Sequence, residues 1–304
     1  MNLKNLFLTA LVVVGSIASF AQSNLLNAKT PAEIGKKTAA QMESDNDKPL
    51  PYGYVHDRDV LMGKTTWENI DIDERINFPL YYPVDTAFVG KDRRSLFSVL
   101  LNGIKAGKIT EVYGDDYFNA KKSLKDMESV FKYRDTIPSG IDEFNTDVAG
   151  YKSGAKVLDK QYINETELAA SDIAGYRIKG FWYFDKRQSE LKYRLLAICP
   201  MATEARDKAK GNTDAIELFW VYFPSIRDVL HEAKAFNDKN SAMPITFDHL
   251  LNSRRFNGVI YKEENVYGDR TIEKYMQDNA QMQLLESERV KDKIRDFEQD
   301  MWNY

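Results

Sequence analysis

Residues 176–185 read YRIKGFWYFD, a polar turn KRQSE follows, and residues 191–199 read LKYRLLAIC. After a longer polar connection, residues 216–236 read IELFWVYFPSIRDVLHEAKAF. Strict alternation puts Tyr176, Ile178, Trp182 and Phe184 on one face of a first strand. It does the same for Leu191, Tyr193, Leu195, Ala197 and Cys199 in a second, and for Ile216, Leu218, Trp220 and Tyr222 in a third. A period of two with β-branched and aromatic enrichment and short polar turns predicts an antiparallel meander. Phe181, Leu196, Ile198, Phe219 and Val221 on the opposite face are apolar as well, so both faces are covered. Pro224 then stops the third strand and suits the first turn of a helix, where a missing N–H costs nothing. Ile226, Val229, Leu230, Ala233 and Phe236 follow at helical spacing, one apolar stripe that can lie on the sheet.

Upstream of this core, RRSLFSVLLNGI at 93–104 predicts a helix with Leu96, Phe97, Leu100, Leu101 and Ile104 inward. Gly107 ends that helix, and 108–113 reads as a short strand. The unit recurs downstream, where TFDHLLNSRRFNGVIYKEENVYGD spans 246–269. Phe97, Leu100, Leu101, Asn102, Gly107 and Ile109 align with Phe247, Leu250, Leu251, Asn252, Gly258 and Ile260. Val112-Tyr113-Gly114-Asp115 aligns with Val266-Tyr267-Gly268-Asp269. Read as a duplication, this gives two similar α+β halves; read as chance repetition of short apolar patterns, it gives none. A Gly-Asp pair suits a tight turn; a carboxylate pair for chemistry would need a base or cradle that is not beside it.

Between the halves, residues 131–175 carry Pro138, Gly140, Gly150, Gly154 and Gly175 and few apolar residues. They read as a loop-rich excursion with one short helix near 166–173, capped by Asn164 or Thr166. The segment 57–83 mixes spacings. Val60, Leu61, Trp67 and Ile70 can share a helix face, Gly63 argues against one, and Leu80-Tyr81-Tyr82 between Pro79 and Pro83 looks extended. From Thr271 to Trp302 the chain is rich in helix formers without Gly or Pro. Val290, Ile294, Phe297 and Met301 make its apolar seam, which breaks between Leu285 and Val290 and so is no regular coiled coil.

The N-terminus has the layout of a signal peptide: Lys4, an apolar run from Leu6 to Val14, and Ser19-Phe20-Ala21 as cleavage site. No cysteine follows the cut, which argues against a lipid anchor there. Residues 22–50 are polar and end in ESDNDKPLP, a flexible arm by composition. With 42 basic and 46 acidic residues and a net charge of −4, the chain lacks the excess of basic charge a nucleic-acid partner asks for. At 43% hydrophobic and 12% aromatic it can bury a sizeable core. Its one cysteine, Cys199, reads as a small buried hydrophobe rather than a nucleophile. The acids Asp71, Asp73 and Glu74 read as a solvated rim, because an oxygen cage needs more ligands in a defined turn. No phosphate loop, nucleophile elbow or zinc spacing appears. No catalytic, cofactor-binding or metal-binding residue is therefore assigned, and no cofactor is expected.

Several stretches in order resemble the GldN/PorN family of the type IX secretion and gliding-motility machinery. They are Trp67, Ile70, Asp71, Glu74, Asn77 and Pro79 followed by Leu80-Tyr81-Tyr82-Pro83; Phe184-Asp185; Leu218 to Pro224 with Arg227 and Leu230; and Arg255-Phe256, Tyr261-Lys262-Glu263, Asn265-Val266-Tyr267, Asp269-Arg270, Ile272 and Tyr275. The resemblance implies a non-enzymatic periplasmic subunit beneath the outer membrane. Its implied partners are a GldK/PorK-type outer-membrane lipoprotein, copies of itself in a ring, and other type IX secretion components, with no nucleic acid. The alternative is a periplasmic ligand- or glycan-binding protein using Trp182 and Trp220 as exposed aromatics.

The expected fold class is α+β: an antiparallel meander with packed helices and a long C-terminal helix. The expected organisation is a signal peptide at 1–21, a flexible arm at 22–56, a first α+β half at 57–130 and the excursion at 131–175. The central sheet and second half follow at 176–276, then the C-terminal helix at 277–304.

Overall fold

The computed structural model describes residue 30 and residues 48–87, 89, 93–154, 156–236, 245–277 and 279–302. The expected signal peptide and all but the last residues of the expected arm lie outside the described residues. The fold is α+β, built on one antiparallel sheet and ending in a long helix. Its strands are β1 (Val60–Asp71), β4 (Ile173–Asp185), β5 (Glu190–Ala202) and β10 (Val259–Glu263), with the short pieces β6 (Ile216–Glu217) and β7 (Val221–Tyr222). The order is β10-β1-β4-β5, and β6 and β7 both pair with β5. The hairpin β4–β5 closes as expected, with Asp185 facing Glu190 and Ser189 turning at a φ of 53°.

Two departures from strict alternation matter more than the agreement. In β5, Ala197 faces Lys179 and Leu195 faces Gly180, so Leu196 is an extra residue. A bulge of this kind bends a strand and changes the side on which later residues emerge. Leu195 and Ile198 therefore pack in the main core, while Ala197 and Cys199 join Trp67 and Trp220 in a second cluster. The expected third strand is similarly interrupted between β6 and β7, which puts Leu218 in the main core and Trp220 in the second cluster. In the N-terminal segment, the helix face anticipated from Val60, Leu61, Trp67 and Ile70 is instead a 12-residue strand. Its β-branched and aromatic residues alternate across a sheet that has partners waiting on both sides. Residues Phe78–Tyr81 form one helical turn (α1) rather than an extended run, with Pro79 in its first turn.

The helices α2 (Leu96–Lys105), α7 (Phe223–Glu232) and α8 (Phe247–Asn252) cover one face of the sheet. Ser95 and Thr246 cap α2 and α8 by accepting backbone N–H bonds from Ser98 and His249. Leu96, Phe97, Leu100, Ile226, Leu230, Phe247 and Leu251 share one core with Ile70, Tyr176 and Ile178 of the sheet. The Tyr176 hydroxyl, buried there, accepts from the Phe97 N–H at 3.1 Å, a donor left over at the helix start.

Helix α3 (Leu124–Phe131) leads into the excursion, which carries helices α4 (Pro138–Thr146) and α5 (Val148–Lys152) and a ribbon of β2 (Lys132–Thr136) and β3 (Ile163–Glu167). The helix anticipated near 166–173 is absent. Thr166 pairs with Tyr133 in the ribbon, and only the single turn Ala170–Asp172 precedes β4. The strand anticipated at 108–113 reduces to two isolated bridges of Tyr113, to Lys121 and to Trp220. The two aligned units thus add to opposite edges of one sheet, Tyr113 at β7 and β10 at β1. Their helix stops match in kind: Lys108 and Arg255 N–H groups reach back five residues, to Gly103 and Leu250, with Gly107 and Arg254 at positive φ. Gly258, aligned with Gly107, has a different role, since a Cβ there would meet Glu68 Oε2 at 2.9 Å.

The final helix α10 (Ala280–Trp302) packs on the sheet by the seam expected of it. Val290 and Ile294 meet Ile260 with Met62, Trp182 and Leu191 around them, and Phe297 meets Phe184 edge to face. Ser287, fully buried in this helix, accepts from the Ile260 N–H at 2.9 Å. That bond occupies an outward donor of the edge strand β10. At the other edge, Tyr113 and Trp220 exchange two backbone bonds of 2.8 Å. Neither edge is left as an open ladder at these points, the usual remedy against unwanted strand pairing.

Candidate interaction surfaces

The face of the sheet opposite helices α2, α7 and α8 is covered by two loops, 113–122 and 264–271, the two that share the Tyr-Gly-Asp sequence. Trp67 lies at the centre with 1% of its surface exposed. The Lys262 ammonium stands 4.1 Å from its ring centroid and the Lys179 ammonium 4.9 Å, and both also lie over Tyr117, at 4.6 and 4.5 Å. Lys262 Nζ donates to Asp116 Oδ2 at 2.6 Å and Lys179 Nζ to the Asp116 carbonyl at 2.9 Å, which ties the first loop to the sheet. The Tyr117 hydroxyl donates to Asp269 Oδ2 at 2.6 Å, which ties the first loop to the second. Burial, offset in part by Asp116 and reinforced by Lys262, holds the Lys179 amine below the ordinary lysine range. The Tyr117 bond holds the Asp269 carboxyl below the ordinary carboxylate range.

Asp115 and Asp269, the residues a hydrolytic reading would use, are occupied in turns. Asp115 accepts from the Asn119 and Ala120 N–H groups at 3.1 and 2.7 Å, and Asp269 from the Asn265 N–H at 3.0 Å. Gly268 and Asp269 both have positive φ, 76° and 54°. This tight turn leaves Val266 and Tyr267 outside, 93% and 72% exposed, on a loop fixed at its base by Asn265. Of the rim acids, Asp71 accepts from the Asp73 N–H and Glu74 from Asn257 Nδ2. Among the described residues, no group of three or more His, Cys, Asp or Glu side chains is placed to hold a metal ion. Cys199 is buried, and burial pushes its thiol far up. Trp220 is fully buried, with Nε1 donating to Glu217 at 2.8 Å, and Trp182 is half-buried beneath Arg254. Neither indole is a free platform for a sugar ring.

A second surface was not foreseen from the sequence. A groove of about 1170 Å³ opens between the β4–β5 hairpin, helices α7 and α8, and residues 48–55 at the end of the expected arm. Those residues are anchored to the body. Tyr52 is clamped between the guanidinium groups of Arg227 and Arg194, 4.2 and 4.6 Å from its centroid, and its hydroxyl donates to Asn252 Oδ1 at 2.9 Å. Arg187 and Arg194 donate to the carbonyls of Tyr54 and Gly53 at 2.8 and 3.2 Å. Six side-chain cations line the groove against two carboxylates, Asp185 and Asp248. Both carboxylates are buried and already paired, Asp248 by a two-pronged bond from Arg227 and Asp185 by Arg187 and Lys192. The arginines are scattered at 187, 194, 227 and 255, so no local run of basic sequence announces them.

Rings, cations and fixed loops dominate both surfaces. A family model described as "Gliding motility associated protein GldN" matches residues 55–303. The chain belongs to the GldN family. No curated protein matches it. The GldN match takes in the whole sheet, both Tyr-Gly-Asp loops and the arginines of the groove, and starts at Val55, just after the clamped Tyr52. Among the described residues, no helix of this GldN-family chain is long and apolar enough to cross a membrane.

Proposed function

We propose that the chain is a non-enzymatic structural subunit of the type IX protein secretion and gliding-motility apparatus. In this reading it is periplasmic, lies against the inner face of the outer membrane, and forms a ring with a GldK/PorK-type outer-membrane lipoprotein. The GldN family match over residues 55–303 is the observation that carries the proposal. The character of the surfaces supports it. A ring needs two different patches on each subunit, one at its head and one at its tail. The fixed loop presenting Val266 and Tyr267, the exposed Met282, Leu284 and Leu285 at the start of α10, and the cationic groove are separate surfaces of that kind. A partner that binds only the folded chain also stabilises it by mass action, which suits an exported protein with a single cysteine.

The test is co-purification from outer membranes followed by sizing. A very large complex containing one lipoprotein is the expected result. A monomer without a companion would overturn the reading, and ligand screening would then be the next step.

A further inference from the structure

We propose that the groove beside residues 48–55 is a docking site for an extended, acidic peptide segment of a partner protein. The charge balance carries the first half of the argument. Six cations face two carboxylates in a chain whose net charge is −4, so positive charge is concentrated here against the overall sign. Both carboxylates are committed to Arg227, Arg187 and Lys192, so that among the described residues Lys48, Arg194 and Arg255 face no acidic partner. Among the described residues, Arg194 meets the Gly53 carbonyl and the rings of Tyr52 and Tyr183. Arg255 is exposed on the groove wall just past helix α8.

The second half comes from how the groove treats the peptide it already holds. Residues 52–54 run through it outside any helix or strand, gripped by arginine donors at two main-chain carbonyls and by two guanidinium groups on one tyrosine. These contacts ask for no particular sequence beyond free main-chain carbonyls, which an extended segment offers, and an aromatic ring. The space left open is lined by the remaining cations, so a second segment laid beside the first meets further cationic donors, with acidic side chains favoured. A phosphate-rich membrane surface fits less well, because the cations line a concavity already narrowed by a peptide and do not form a flat patch.

The inference deepens the assembly reading and rests on it only for the partner's identity. Binding is measured on the isolated mature chain, so either can fail without the other. The probes are two fluorescein-labelled octapeptides, seven glutamates or seven lysines around one tyrosine, titrated by fluorescence anisotropy at low and physiological salt. The glutamate peptide is expected to bind at least tenfold more tightly, with affinity falling as salt rises. Arg255→Glu, at an exposed position with no side-chain partner among the described residues, is expected to weaken it at least fivefold with an unchanged circular dichroism spectrum. Arg194→Glu is expected to weaken it further and to release Tyr52. Equal affinity for the two peptides, or an Arg255→Glu chain that binds as well as the parent, would overturn the proposal. So would Arg255-dependent binding to vesicles of one part phosphatidylglycerol to three of phosphatidylcholine with no peptide binding, which would assign the groove to a membrane.

Discussion

One face of the sheet is closed by helices and the other by loops, and the two closures work by different physics. Beneath the helices, Ile70, Tyr176, Ile178, Leu195 and Ile198 meet Leu96, Phe97, Leu100, Leu230 and Phe247 in a largely apolar layer. Burial of that kind is roughly proportional to area and indifferent to direction, so it supplies stability with little demand on geometry. Beneath the loops, Trp67 and Tyr117 are held by Lys179 and Lys262, and the loops by Asp116 and Asp269. Those contacts are directional. Their net worth is smaller, but they fix the position of a loop that carries Val266 and Tyr267 into solvent. Stability lies mainly on one side and presentation on the other.

The largest effect that would break this division sits where the helical side stops being apolar. Glu68, 1% exposed, faces the same side of β1 as Ile70 and receives two bonds from Arg254, at 2.8 and 2.9 Å. Arg254→Ala leaves that carboxylate buried without a partner and is expected to cost about 3–5 kcal/mol in urea unfolding. The double variant Glu68→Gln/Arg254→Met should lose clearly less, because no charge is stranded. If both variants lose the same, the pair acts only by packing. Next comes Leu230→Ala in α7, expected to cost about 2–5 kcal/mol, against less than about 1.5 kcal/mol for Leu230→Met. A loss from the methionine variant as large as from alanine would show that this layer is as shape-specific as the loop side.

On the loop side, Lys262→Met removes the Asp116 bond and two ring contacts while keeping the length of the chain. The expected loss is about 1–2 kcal/mol. Hydrogen exchange should rise in residues 113–122 and 264–271 and stay unchanged in β4 and β5. Uniform acceleration across the sheet would show that the loops are part of the global fold and not a separately held layer.

How much of this was legible beforehand follows from the range of the interactions. The hairpin, the helix at Pro224, α2 and the seam of α10 all rest on local patterns and were readable from periodicity. The stripe expected to run on to Ala233 and Phe236, however, stops with the helix at Glu232, and the chain turns extended. The faces of Ala197, Cys199 and Trp220 were not. The bulge at Leu196 leaves no mark on the alternation itself, and only the register against Lys179 and Gly180 reveals it. The strand at 60–71 hid for a related reason: its apolar residues fit either period, and its pairing partners lie more than a hundred residues away. The Tyr-Gly-Asp repeat was visible, but not that its copies come from opposite edges of the sheet and meet through Tyr117 and Asp269. The groove depends on four arginines from the β4–β5 turn, strand β5, helix α7 and the segment past α8, which only the folded chain brings together.

The smallest effect tests that meeting most directly. Tyr117→Phe deletes one hydroxyl and nothing else, leaving the ring over both lysines. The Asp269 carboxyl, held low first by this bond, should titrate closer to the ordinary carboxylate value in the variant, as read by NMR of its side-chain carbon. Because its folded pKa is depressed, the stabilisation is present above the unfolded aspartate value of about 3.9 and is lost as pH falls through the folded pKa. Tyr117 is 44% exposed, so solvent screens the bond and the loss at neutral pH should stay below about 1 kcal/mol. The stability curves of parent and variant should therefore run apart at pH 6 and converge under strong acid. Curves that stay parallel to low pH would mean that the hydroxyl acts through packing rather than through Asp269. The two loops would then be joined only by their shared contact with Lys262.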